Sequence, residues 1–158
     1  MGDAEEVISR LSAASKTIVL AESCTAGLVA DLLAQVPGAS RVFWGSYVSY
    51  TGAAKIAMLG LDAGILCRYG AVSRETACAM AQGALQRSRA DIAAAITGLA
   101  GPEGDGSPVP VGTVWIATAV RGMEVQATVF QYTGSRQEVR SAAAGTVIKE
   151  LIRRLSLP

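Results

Sequence analysis

Three polar segments carry the side chains in this sequence that are equipped for chemistry: Glu22-Ser23-Cys24-Thr25, Tyr50 to Lys55, and Thr97 to Gly106. The first lies between a continuous apolar run and a helical stripe, so its amides and hydroxyls are placed to hold an oxyanion or a phosphate. Plain helix N-capping by Ser23 or Thr25 accounts for the same residues. In the second, Lys55 is one of three lysines against eleven arginines and stands among Ala53, Ala54, Ile56, Ala57 and Met58. Desolvation there lowers an amine's pKa and lets its neutral form act as a base. A surface lysine with a snorkelling stem fits the same spacing. In the third, Thr97 with Gly98, Gly101, Gly104 and Gly106 suits a nest of backbone amides around an anion. The glycine spacing matches neither G-x-G-x-x-G nor the P-loop, and a flexible turn reads the same way.

The chain has no histidine, which excludes Ser-His-Asp and Cys-His arrangements and histidine metal sites. A hydroxyl nucleophile with a lysine base remains available. Glu22, Asp31 and Asp105 are carboxylates in or near these segments, but no clustered spacing makes them ligands, so neither a metal nor a cofactor is expected. Cys24, at an expected helix N-terminus, should have a lowered thiol pKa and is a physically competent nucleophile, though it lacks the usual partner base. With Cys67 and Cys78 it makes too few cysteines for a disulfide framework, and no C-x-x-C occurs, which reads as reduced thiols in a cytoplasmic protein.

Net charge is +1 with acids and bases mixed along the chain, so no basic face is expected for nucleic acid. No apolar stretch approaches the roughly 20 residues that span a membrane. The start carries Asp3, Glu5 and Glu6 rather than a basic leader, so no membrane partner is expected. At 158 residues, about half of them apolar, the chain is sized for one domain over residues 1–158 and one site.

The elements that must position these segments follow from periodicity. Asp3 and Glu6 suggest a helix start, with Val7, Ile8 and Leu11 on one face. Thr17 to Ala21 reads as a strand buried on both faces. Leu28, Val29, Leu32, Leu33 and Val36 form a helical stripe closed by Pro37-Gly38. Val42 to Tyr50 reads as a strand and Lys55 to Leu59 as a short helical piece. Ser73 caps a helix whose buried stripe is Ala77, Met80, Ala81, Ala84 and Leu85. Ile92 to Ile96 is another buried strand, and Thr113 to Val120 and Val125 to Tyr132 form an antiparallel hairpin. Ser135 and Glu138 make a capping box for a last helix to about Leu155. This order predicts an α/β protein, a three-layer α/β/α sandwich on a mixed sheet.

At the same segments the sequence resembles the CinA C-terminal domain family, the competence/damage-inducible proteins that include nicotinamide mononucleotide (NMN) deamidase. The matching motifs are AESCTAGLVA from Ala21, VPGAS from Val36, Tyr50 with Lys55 followed by MLG, YGAVS from Tyr69, TGLAGPEG from Thr97 and PVGTVW from Pro110. The resemblance implies a five-stranded mixed sheet of the anticodon-binding-domain-like kind and a homo-oligomer such as a dimer. The implied reaction is hydrolysis of the carboxamide of NMN to nicotinic acid mononucleotide and ammonia by a Ser/Lys pair. By motif, it implies Ser23, Ser40 and Lys55 as catalytic and Thr25, Tyr50, Thr97, Gly98, Gly101 and Arg136 as substrate-binding. Of the two serines, Ser40 is expected to attack. Ser23 passes from a strand directly into a helix, where its hydroxyl is better placed to cap the helix or bind substrate. Many members carry Asn-Glu where this chain has Gly52-Ala53. That departure favours a second reading, a non-catalytic nucleotide-binding or partner-binding module. A third, a factor acting on DNA directly, would need the basic face the sequence lacks.

Overall fold

A computed structural model describes residues 1–157. The apolar runs form five strands, β1 (Ile18–Glu22), β2 (Phe43–Val48), β3 (Ile92–Gly98), β4 (Thr113–Val120) and β5 (Gln126–Gln131), in one sheet of order β2-β1-β3-β4-β5. β1 is parallel to β2 and β3, whereas β4 is antiparallel to β3 and to β5. The helices among the described residues are α1 (Asp3–Ala13), α2 (Leu28–Ala34), α3 (Gly52–Leu59), α4 (Ala63–Tyr69), α5 (Arg74–Ser88) and α6 (Arg136–Leu155). None of them is long and apolar enough to cross a membrane.

The alternation of side chains along each strand sorts the core into two halves. Ile18, Leu20, Ile92, Ile96 and Ile116 face α1, α2 and α6, while Val19, Ala21, Ala93, Ala95, Ala117 and Ala119 face α5. This is the expected three-layer α/β/α arrangement on a five-stranded mixed sheet.

The alanine face lets α5 and its neighbours lie close. A Cβ on Gly83 of α5 would stand 2.3 Å from the Leu59 carbonyl oxygen, at the end of α3. Gly83→Ala should therefore destabilise the protein by about 1–2 kcal/mol, because overpacking against backbone outweighs the gain in helix propensity. A denaturant midpoint at or above the parent's would refute that sign.

Three local expectations are corrected. Helix α1 begins one residue early: Gly2 is its N-cap, and its amide donates to the Glu5 carboxylate, so Asp3 and Glu6 are not the capping pair. The strand expected over Val42 to Tyr50 is shorter and carries a bulge opposite Ile18/Val19, which leaves Trp44 as the extra, exposed residue. Helix α4 was not expected. It is capped by Asp62, ends at Gly70 with φ +82°, and buries no residue fully, so it has no apolar stripe to announce it. The last helix starts as expected, with Ser135 and Glu138 exchanging hydrogen bonds.

The chain leaves β1 through α2 on one face to reach β2, and leaves β2 through α3, α4 and α5, with α5 on the other face, to reach β3. β1 therefore lies between strands reached by crossovers on opposite faces, and a crevice opens beyond its carboxyl end. The segments after β1, after β2 and at the end of β3 all meet there.

Candidate active site

Glu22, the last residue of β1, is 1% exposed, and its carboxylate is surrounded by donors. It accepts from Thr25 Oγ1 at 2.7 Å, from the amides of Gly27, Val29 and Ala30 at 2.9–3.2 Å, and from Ser46 Oγ at 3.0 Å. The buried anion thus satisfies amides at the start of α2 and ties them to β1 and β2. The turn that follows carries Ser23, whose amide donates to the Ile96 carbonyl and so continues the sheet by one residue.

Lys55 reaches this turn from α3, where it occupies a core position four residues before Leu59, and it is 1% exposed. Its Nζ lies 2.8 Å from Ser23 Oγ, 2.8 Å from the Ser49 carbonyl oxygen and 3.4 Å from the Tyr50 carbonyl oxygen. Among the described residues no carboxylate pairs with it. Burial without a counter-ion lowers its pKa from 10.5 to about 8. The amine donates to the Ser23 hydroxyl oxygen and to the two carbonyls, and the Ser23 hydroxyl donates in turn to the Tyr50 carbonyl at 3.4 Å. Loss of one proton, which the lowered pKa favours, frees a lone pair beside that hydroxyl.

These atoms line a cavity of about 220 Å³ whose walls include Thr97, Gly98, Gly101 and Arg136. Thr97 Oγ1 donates to the Ala71 carbonyl at 2.7 Å and ties the end of β3 to the segment before α5. Gly98 is required by packing, because a Cβ there would lie 2.7 Å from Val114 Cγ2 and 2.9 Å from the Thr113 carbonyl oxygen. At the rim, Arg136 donates to the Gly101 carbonyl at 2.8 Å and to Tyr50 Oη at 2.7 Å. A larger cavity of about 730 Å³ lies between α1, α2 and α6. It holds neither Ser23 nor Lys55, so the smaller cavity is the candidate active site.

The structure brings together Ser23, Lys55, Tyr50, Thr97, Gly98, Gly101 and Arg136, and it separates two other candidates from them. Ser40 is exposed in a short 3-10 turn (Ala39–Arg41) before β2, whereas Lys55 follows β2. The six residues of β2 set the two ends roughly 20 Å apart. Within one chain, Ser23 rather than Ser40 is therefore the serine in contact with the lysine. Thr25 is fully buried, and its hydroxyl donates to Glu22 rather than turning to the cavity.

The expectation of an acidified Cys24 is corrected too. Helix α2 begins only at Leu28, so the thiol is not at its first turn, and burial raises its pKa to about 11. Gly52 and Ala53 sit in the first turn of α3 with Ala53 exposed, and the acceptors around Lys55 come from Ser23, Ser49 and Tyr50. Among the described residues no three acidic or cysteine side chains group as metal ligands.

Sequence reasoning missed the anchoring by Glu22, although a carboxylate three residues before a threonine at a strand-to-helix turn is a readable signal. It also missed Arg140 of α6, which donates from Nε to the Cys24 carbonyl at 2.8 Å and from Nη2 to the Thr25 carbonyl at 3.1 Å. Nothing local in the sequence marks that contact across more than a hundred residues.

Residues 2–155 match the model of the CinA C-terminal domain. A CinA-like protein of Akkermansia muciniphila is 43% identical over 146 residues, covering 92% of this chain and 35% of that protein. A putative competence-damage inducible protein of Symbiobacterium thermophilum is 51% identical over 108 residues, 68% of this chain and 25% of its own length. The chain thus spans about a third or less of the curated relatives it matches. The crystal structure of the competence/damage inducible protein CihA from Agrobacterium tumefaciens superposes with a TM-score of 0.92 at 41% identity, covering 99% of this chain and 98% of that one. A CinA superfamily protein from Escherichia coli superposes with a TM-score of 0.93 at 33% identity, covering 96% and 88%.

Proposed function

This chain belongs to the CinA C-terminal domain family, and on that premise we propose that it is an amidohydrolase converting NMN to nicotinic acid mononucleotide and ammonia. The observation that carries the reading is the buried Lys55 amine 2.8 Å from the Ser23 hydroxyl, with its pKa lowered to about 8 and no carboxylate beside it. A base of that pKa is partly neutral at physiological pH and strong enough to return its proton to a leaving nitrogen. The substrate class rests on the family resemblance.

In this reaction Ser23 Oγ bonds to the carboxamide carbon as its proton passes to Lys55, and the carbonyl electron pair moves onto oxygen. The tetrahedral adduct collapses with cleavage of the C–N bond. Lys55 returns the proton to nitrogen, ammonia leaves, and a nicotinoyl ester remains on Ser23. Lys55 then takes a proton from water, whose oxygen attacks the ester carbon; the bond to Ser23 Oγ breaks, Lys55 returns the proton to Oγ, and the acid is released. A cavity of about 220 Å³ is smaller than the roughly 300–1,000 Å³ pockets that enclose whole ligands. It takes the pyridine ring and leaves the ribose phosphate at the rim, where Arg136 retains donors beyond those given to Gly101 and Tyr50.

The test is incubation of the purified protein with NMN, following ammonia and nicotinic acid mononucleotide together. Their release in equal amounts is expected. Calorimetric binding of NMN with no ammonia would overturn hydrolysis and leave a binding module. Cys24→Ala should keep turnover within about threefold, since a thiol of pKa about 11 supplies almost no thiolate at pH 7. Loss of turnover in a folded Cys24→Ala protein would count against the serine.

A further inference from the structure

Two backbone amides behind the serine have no oxygen acceptor among the described residues. Along this turn the Ser23 amide donates to Ile96, the Ala26 amide to Ser23 and the Gly27 amide to Glu22. Among the described residues the amides of Cys24 and Thr25 donate to no oxygen, and the first is met only by its own thiol sulfur, although the two residues are only 6% and 0% exposed. Consecutive unpaired amides in buried residues are rare, because each forfeits its hydration without a replacement bond.

Arg140 explains the orientation of the Thr25 amide, while that of Cys24 belongs to the peptide whose Ser23 carbonyl accepts from the Ala26 amide. Its guanidinium takes the Cys24 and Thr25 carbonyls. In a trans peptide the C=O and the following N–H point in opposite directions, so with the Cys24 carbonyl turned to Arg140 the Thr25 N–H points away from it. Arg136 and Arg140 are four residues apart on α6 and share one face of it. The first closes the rim on Gly101 and Tyr50, and the second braces the turn that carries Ser23.

Resting on the reading of Ser23 as nucleophile, we propose that Arg140 is a positioning residue that holds the Ser23–Thr25 turn on Lys55 and keeps the Thr25 amide free, beside the Cys24 amide, to receive the oxygen anion formed when Ser23 attacks. An amide directly after a nucleophile, held rigid and unpaired, donates to developing negative charge without having to break another bond first. Arg140 touches neither substrate nor proton in this account. It acts through the peptide planes.

The experiment measures Ser23 phosphonylation by a fluorophosphonate in the parent, Arg140→Ala and Arg140→Lys proteins, by mass spectrometry over time and across pH. In that reaction the Oγ–P bond forms, the P–F bond breaks, fluoride leaves and Lys55 takes the hydroxyl proton. The phosphoryl oxygen needs the same two amides. Arg140→Ala is expected to label about 100-fold more slowly, with the midpoint of its pH dependence unchanged, and Arg140→Lys, which keeps one donor, is expected to fall between. Turnover of NMN should show the same loss in kcat with little change in KM. Equal labelling rates in parent and Arg140→Ala would overturn the proposal. So would a midpoint shifted toward 10.5, which would mean that the substitution had merely opened the site and hydrated Lys55. An unlabelled Ser23 in the parent would overturn it as well. If Ser23 labels in an Arg140-dependent way while NMN yields no ammonia, the substrate reading fails and this inference stands.

Discussion

Ser23→Ala should reduce NMN turnover by about 10⁴-fold or more, while Ser40→Ala should remain within about threefold of the parent. The contrast follows from topology. Ser23 lies at the carboxyl end of β1 with its Oγ 2.8 Å from Lys55 Nζ, whereas Ser40 is exposed before β2, at the other end of the sheet. A hydroxyl roughly 20 Å from the base cannot pass it a proton in the step that forms the acyl bond. Ser23→Ala should keep its fold and much of its affinity for NMN, because Arg136, Tyr50 and Thr97 are untouched. The check is steady-state kinetics with calorimetric titration on both variants. Full activity in Ser23→Ala would remove it as nucleophile, and a dead but folded Ser40→Ala would return the attack to Ser40.

For Lys55→Met the expected loss of turnover is of similar size, about 10⁴-fold, and stability gives an independent signature. A lysine whose folded-state pKa is about 8 rather than 10.5 is destabilising when protonated. The penalty is present in full below pH 8 and disappears as pH rises through 10.5, where the unfolded chain also loses the proton. Its size is on the order of 3 kcal/mol. In the parent, stability should therefore rise across this window by about that amount from Lys55 alone, and Lys55→Met should lack the rise. Subtracting the two denaturation curves at each pH cancels the tyrosines and other groups. The kinetic counterpart is kcat/KM in the parent climbing about tenfold per pH unit below 8 and levelling above it. Flat activity from pH 6 to 9, or a difference curve without slope, would mean that Lys55 is not the titrating base.

Much of the molecule was legible in the order of residue types. The buried run Ile18-Val19-Leu20, the stripe from Leu28 to Leu33, the small-residue strand at Ile92 and the hairpin after Thr113 each announce their element, because burial on one or two faces imposes a period on the chain. Glu22-Ser23, Lys55 and Thr97 could be singled out because polar residues placed directly after buried strands fall where a parallel sheet opens its crevice. The absence of histidine left serine with lysine as an available pairing.

Which serine meets the lysine was decided only by tertiary structure. Sheet order puts the carboxyl ends of β1, β2 and β3 side by side, and no local pattern encodes that order. The same holds for Cys24, whose sequence position suggested an acidic thiol but whose thiol the packed core desolvates instead. It holds for Arg140 as well, which meets the turn behind Ser23 from the far end of the chain. The sequence determines which faces must be buried and which polar groups are left over. Distances, desolvation and the direction of a peptide plane arise from how those faces pack on one another, and contacts far apart along the chain exist only once that packing is complete.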